Sequence, residues 1–244
     1  MINKIVYINL DSRQDRREWL EKQLERIDIP YERFSAIAPT LESITNEDGK
    51  YHDFYNRLAI KGMSTRWQIG TIGCYLSHLS IHMMALEKQF GNYIILEDDC
   101  RISQKSIDTL QTYIKNGMIT DDWDMIRSTW FSHSSEVFKY DYCPPMSKFY
   151  NEASEENLKN RADYIHDKYG EWINPKKVTN RLNVALCGGT HFQLIKNSST
   201  PKIIKYLNED HVFPIDTSYT TNALNVYDSQ FGIKPNGSFI SDIH

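Results

Sequence analysis

Tyr93-Ile94-Ile95-Leu96-Glu97-Asp98-Asp99 is the stretch on which the fold turns. Its apolar run reads as a strand buried on both faces, the kind that builds the sheets of α/β folds. The run stops abruptly at three carboxylates. In open α/β sheets ligands bind in the crevice at the carboxyl ends of strands, so the triplet stands where a ligand would lie. Side chains alternate along an extended chain, which sends Glu97 and Asp99 to the same side. Hard oxygen ligands so placed suit Mn²⁺ or Mg²⁺, ions that typically bridge protein carboxylates to the phosphates of a nucleotide. Three clustered like charges need relief from a cation or a cationic side chain. A solvated turn after the strand is the competing reading.

Upstream of this strand, Leu79, Met83, Leu86 and Phe90 keep helical spacing within a helix expected from Ile72 to Phe90, which Gly91-Asn92 ends. The chain opens with a β-branched run, Ile5 to Leu10, and Asn9-Leu10-Asp11-Ser12 supplies turn and capping residues for a following helix. In that helix Leu20, Leu24 and Ile27 share one face, and Pro30 blocks continuation before a second strand at about Tyr31 to Ile37. Between Pro39 and Gln68 the chain is polar and poorly periodic, with a turn at Asn46-Glu47-Asp48-Gly49, and reads as a long excursion rather than core.

Downstream, a helix is expected near Ser106 to Lys115 and a strand near Asp124 to Ser128. Residues 141–177 carry too few apolar positions for a core of their own and read as an insertion or lid. A strand through Gly188-Gly189-Thr190-His191-Phe192-Gln193-Leu194-Ile195 and a helix from about Thr200 to Leu207 follow. The whole predicts a Rossmann-like α/β sheet flanked by helices, one domain over residues 1–244.

Composition narrows the class. The chain has 244 residues, 40% hydrophobic and 25% charged, the ordinary globular range. No stretch approaches the roughly 20 consecutive apolar residues that span a bilayer, so a soluble protein is expected. The N-terminus, Met1-Ile2-Asn3-Lys4-Ile5, lacks the apolar region of a secretory signal. Cys74, Cys100, Cys143 and Cys187 lie far apart, without the spacing of a zinc or redox motif, which fits a reduced intracellular setting. A formal charge of -4 lacks the field of a nucleic-acid binder, so no nucleic-acid partner is expected. The basic run Arg13, Arg16, Arg17 either holds a diphosphate or is a solvated helix face. Trp67, Trp123, Trp130, Trp172 and the many tyrosines offer flat faces for a base or a sugar ring, though most serve core or rim.

Four separated segments together resemble the family-25 glycosyltransferases, which include lipooligosaccharide and collagen galactosyltransferases. They are Ile8-Asn9-Leu10-Asp11 with Arg13, Arg16 and Arg17; Gly70 to His78 as GTIGCYLSH; Ile95-Leu96-Glu97-Asp98-Asp99; and Pro214-Ile215-Asp216 after a Gly-Gly-Thr strand. The resemblance implies a GT-A-like fold, a UDP-sugar donor, a divalent metal (Mn²⁺ or Mg²⁺) and inversion at the anomeric carbon. It implies that Asn9, Leu10, Arg13, Arg17, Ser77, His78 and Asp98 border the donor, and that Glu97 and Asp99 hold the metal. GT-A enzymes often recruit a late residue as a further ligand, which points to His244 or to Asp242. Terminal residues also fray into solvent. His78 has the alternative of a hydrogen-bonded structural histidine. The chain departs from the family where an acidic residue is usual and Thr71 stands, and where an aromatic is frequent and His82 stands.

An inverting transfer needs a base for the acceptor hydroxyl. Asp216, in the proline-bounded turn Phe213-Pro214-Ile215-Asp216, is the candidate, with the alternative that it caps a helix over Thr217 to Ala223. The expected activity is transfer of galactose or glucose to a hydroxyl of an oligosaccharide or glycosylated acceptor. The expected location is cytoplasmic, with a peripheral contact on the cytoplasmic membrane face for a lipid-linked acceptor. Two other classes compete. A metal-dependent phosphoesterase would use the same triplet, but no second acidic cluster or histidine-rich ligand pattern accompanies it. A non-catalytic nucleotide-sugar-binding module would retain UDP binding without turnover.

Overall fold

In the computed structural model the described residues are 1–58, 64–117, 119, 121–128, 176–177, 190–209, 212, 214–219, 224–228 and 233–235. The decisive apolar run forms β3 (Asn92–Glu97), the third strand across a seven-stranded sheet. Its neighbours are β1 (Ile2–Asn9), parallel to it, and β7 (Phe192–Ile195), antiparallel. Across the sheet the order is β2-β1-β3-β7-β5-β8-β6, with β2 at Tyr31–Ser35, β5 at Met125–Arg127, β6 at Lys176–Lys177 and β8 at Val226–Asp228. Every pairing in this sheet is parallel except the two made by β7. A small antiparallel pair, β4 (Cys100–Arg101) with β9 (Lys234–Pro235), sits just beyond β3.

Alternation along the central strands divides the core into two layers. Ile94 and Leu96 of β3 join Ile5 and Tyr7 of β1 and Leu194 of β7 under α1 (Gln14–Leu24) and α5 (Gln104–Lys115). Tyr93 and Ile95 join Val6 and Ile195 on the opposite face, under α4 (Thr65–Glu87) and α6 (Thr200–Glu209). All four apolar residues of β3 are fully buried, which is why the strand is apolar throughout. Each such side chain contributes about 1.5–3 kcal/mol of burial energy.

α4 is long and apolar enough by length and composition to cross a membrane, yet Ile72, Tyr75, Leu79, Ile81 and Ala85 are spent on the sheet. Its close approach to the chain after β2 depends on Gly73, where a Cβ would meet the Ile37 carbonyl oxygen at 2.5 Å. Gly91 turns the chain from α4 into β3 at φ +73°, with Asn3 Oδ1 at 2.6 Å from where a Cβ would be, so only glycine fits.

The sequence-based expectations hold for the main elements, with three corrections. The excursion between Pro39 and Gln68 contains two short helices, α2 (Leu41–Thr45) and α3 (His52–Asn56), and it feeds the core through Ile44 and Leu58. A single buried residue in a polar window gives no periodicity to detect. Asp11 and Ser12 do not cap α1: the N-cap is Arg13 without a side-chain bond, and Asp11 instead accepts from Arg33 and Ser35. Asp216 does not cap a helix over 217–223; it lies in the first turn of α7 (Ile215–Ser218). Apart from β6, the segment 141–177 lies outside the described residues.

Candidate functional site

β3 delivers the acidic triplet to the carboxyl edge of the sheet, and the chain turns there so that the middle residue parts from the outer two. Asp98 points toward α1. It is buried, pairs with Arg16 Nη1 at 2.9 Å and accepts from Asn9 Nδ2 at 2.8 Å. Burial pushes its carboxyl up, and Arg16 and Asn9 offset only part of that. Asn9 is equally committed: its amide also donates to the Arg13 carbonyl, and its Oδ1 accepts from Arg33 at 3.0 Å. The expected donor contacts Asn9 and Asp98 thus form a buried brace between β1, α1 and β3.

Glu97 and Asp99 turn the other way, toward the start of β7. Because β7 is antiparallel to β3 and pairs Leu96 with Phe192, the residues just before β7 lie beside the end of β3. His191 Nδ1 stands 2.9 Å from Asp99 Oδ1 and 3.2 Å from Glu97 Oε2. Thr190 donates its hydroxyl to Glu97 Oε1. Burial favours a neutral imidazole, but the bonds to Asp99 and Glu97 outweigh it and push His191 up to about 10. Burial likewise opposes the Glu97 charge, yet the hydrogen bond from His191 holds its carboxyl below the usual range. The relief that three clustered carboxylates require is therefore supplied within the chain, by Arg16 for Asp98 and by His191 for the other two.

One ligand atom from each of Glu97, Asp99 and His191 lies within 4.8 Å of the others. Two carboxylates and an imidazole form a donor set that fits Mn²⁺ and tolerates Mg²⁺. Entry of such an ion would displace the His191 proton, as metal binding generally does.

The remaining predicted residues are dispersed around this edge. Leu10 is half-buried in the turn before α1, where its carbonyl accepts from Arg13 N. Arg13 pairs with Asp15 at 2.8 Å and Arg17 with Glu21 at 3.1 Å. Ser77 is buried, accepting from Ile37 N and donating to the Gly73 carbonyl, so its hydroxyl is occupied by the fold. His78 is fully buried, with Nε2 at 3.8 Å from Glu97 Oε1. Asp216 is partly exposed, and its backbone carbonyl accepts from Arg127 Nη1 at 3.2 Å. His244 and Asp242 lie outside the described residues.

Two contributors were not singled out from the sequence. His191 was visible only as part of a strand, because its place depends on the β3–β7 register. Arg127, fully buried on β5, had no local signal; it ties the sheet to the helix that carries Asp216. Of the two departures from the family pattern, Thr71 is buried and His82 is fully buried between the hydroxyls of Tyr93 and Tyr219, each at 2.7 Å.

Comparison with known proteins bears on this arrangement. The family profile described as Glycosyltransferase family 25 (LPS biosynthesis protein) matches residues 2–219. The chain belongs to glycosyltransferase family 25. A glycosyltransferase 25 family member of Drosophila melanogaster is 27% identical over 178 residues, 70% of this chain and 25% of that protein. Procollagen galactosyltransferase 1-B of Xenopus laevis is 31% identical over 132 residues, 51% of this chain and 20% of that protein. The aligned regions thus span a quarter or less of these relatives. Family 25 is a GT-A-type family of sugar-transferring enzymes, and the mixed sheet with helices on both faces is the corresponding architecture.

Proposed function

We propose that this family-25 chain transfers a hexose, galactose or glucose, from a UDP-sugar to a hydroxyl of a glycan or glycosylated acceptor, with inversion and with a divalent ion held by Glu97, Asp99 and His191. The observation that carries this reading is the convergence of those three side chains at the carboxyl end of β3. The galactosyltransferase relative favours galactose, and the lipopolysaccharide description of the family favours a lipid-linked glycan as acceptor, for which we propose the cytoplasmic membrane face.

When bound, Mn²⁺ or Mg²⁺ supplies positive charge to the departing diphosphate. The chain's own residues do the rest. Glu97 and Asp99 present oxygens fixed by a buried strand and its turn, and Thr190 orients Glu97 from behind. Arg13 and Arg17 stand after β1 with guanidinium groups for the donor's diphosphate. Asp216, on a helix steadied by Arg127, takes the proton from the acceptor hydroxyl as that oxygen attacks the anomeric carbon and the bond to UDP breaks.

UDP release from a panel of UDP-sugars, with Mn²⁺ or with chelator, tests the proposal. Metal-dependent release from one sugar is expected; silence across the panel with UDP binding intact would instead support a binding module. Asp216→Asn is expected to keep UDP affinity while lowering turnover about 100–10,000-fold, the usual contribution of a positioned base. An unchanged rate removes Asp216 from that role.

A further inference from the structure

Cys74 and His78 are one helical turn apart on α4, so both side chains point to the same place. That place is the flank of Glu97. Cys74 Sγ lies 3.9 Å and His78 Nε2 3.8 Å from Glu97 Oε1, and the three ligand atoms fall within 4.8 Å of one another. At 3.8 Å His78 makes no hydrogen bond to the carboxylate, and among the described residues its buried Nε2 has no hydrogen-bond partner. An unmatched polar atom in such a position keeps the full desolvation penalty of its burial and calls for a reason.

The other ring nitrogen is held by a buried chain of hydrogen-bonding groups. His78 Nδ1 meets the Tyr219 hydroxyl at 3.4 Å, and that hydroxyl is 2.7 Å from His82 Nε2. His82 Nδ1 is 2.7 Å from the Tyr93 hydroxyl, which reaches Thr200 Oγ1 at 3.3 Å. Burial keeps His82 neutral, so it donates from one nitrogen and accepts at the other, and the chain has a direction. If each group from His78 to Tyr93 donates to the next toward Thr200, His78 Nε2 bears a lone pair. If the direction reverses, it bears a proton aimed at Glu97. The network therefore lets His78 act as a ligand whose orientation is fixed from behind, as outer partners of metal-binding histidines generally do.

We propose that Cys74, His78 and Glu97 form a second cation site, selective for a borderline-soft divalent ion of the zinc class and sharing Glu97 with the Glu97–Asp99–His191 set. Sulfur and imidazole donors favour Zn²⁺ over Mn²⁺ or Mg²⁺, and three protein ligands leave a fourth position for water. On binding, the Cys74 S–H bond breaks, a sulfur–metal bond forms and the proton leaves to solvent. Since one carboxylate serves both sets, Zn²⁺ opposes the use of the neighbouring set by a hard ion.

Co²⁺ stands in for Zn²⁺ as a spectroscopic probe on the reduced full chain. A thiolate-to-cobalt charge-transfer band is expected, lost on adding Zn²⁺ and absent from Cys74→Ser. The same variant is expected to weaken Zn²⁺ binding at least about tenfold, the least seen when even an outer partner of a metal site is lost. Asp99→Asn keeps the band, because Asp99 belongs only to the other set. No band in the wild-type chain, a band that survives Cys74→Ser, or its loss in Asp99→Asn would overturn the assignment. Should Cys74→Ser fail to fold by circular dichroism, His78→Gln is read instead: a tenfold weaker Co²⁺ affinity supports the site and an unchanged one refutes it. Sugar transfer enters nowhere in this measurement, so its failure leaves the transferase reading standing.

Discussion

The two sides of the β3 terminus hold neighbouring carboxylates in opposite ways. On the α1 side, Asp98 is closed: both oxygens are taken, by Arg16 and by Asn9, and little of it meets water. On the β7 side, Glu97 and Asp99 share one imidazole whose proton a cation can replace, although Thr190 also donates to one Glu97 oxygen. The difference teaches that an acidic motif is read by its partners. A carboxylate saturated by fixed donors braces a fold, whereas one that shares a proton with a neighbour can exchange it for a cation.

The contrast is sharpest if each side is broken separately. Asp98→Ala removes one partner of the buried Arg16 pair, a loss that typically costs about 3–5 kcal/mol. Thermal unfolding is expected to fall by roughly 2–4 °C per kcal/mol in a chain of this size. An unchanged melting temperature would show that the brace is dispensable. Asp99→Asn is expected to do the reverse, lowering metal-dependent UDP release at least about 10–100-fold, the scale seen on disturbing a metal's surroundings, while unfolding stays near wild type. Near-normal turnover would remove Asp99 from the metal set.

A third acid, Asp124, provides a graded case. It accepts from Ser199 Oγ at 2.7 Å and Asn225 N at 2.8 Å and pairs with Lys202. Burial would raise its carboxyl, but these partners hold it below the usual value. A depressed carboxyl contributes stability above its unfolded value near pH 4, and that contribution fades as pH falls through the folded value. Lys202 is half exposed, so Lys202→Ala is expected to cost only about 0–1 kcal/mol at neutral pH. It should also flatten the acid limb of stability, measured by denaturant unfolding between pH 3 and pH 7. An acid limb identical to wild type would mean that the fixed donors alone set Asp124.

Much of the scaffold was legible because it is written locally. The Tyr93–Leu96 run and the Gly91 stop carry their own signal, and the structure places β3 and its turn accordingly, whereas α4 begins earlier than expected, at Thr65, and buries Ile72, Tyr75, Leu79 and Ile81 while Met83 and Leu86 of the expected face stand exposed. The site was half legible. Glu97 and Asp99 announce themselves as carboxylates at a strand end, but the inward turn of Asp98 depends on Arg16, far away in the chain. His191 depends on antiparallel pairing with a strand that follows long after. Such facts reside in register, which no short window of residues contains. Ile44 was missed for a simpler reason: one apolar residue among polar neighbours has no period.

β5 and β7 lie side by side although a long stretch of chain separates them. Arg127 and Gln193 are direct partners across that antiparallel pair, and Ser128 N bonds the Phe192 carbonyl at 3.3 Å. The described ends of the stretch between Ser128 and Thr190 therefore stand at neighbouring points on the sheet, to which the same stretch also lends β6. Closing a loop costs entropy only logarithmically in its length, so doubling such a segment adds about 0.6 kcal/mol. New sequence can be spliced there, on either side of β6, for less than the energy of one buried methylene. Length in that stretch is therefore cheap to change while the acidic edge of the sheet stays in place.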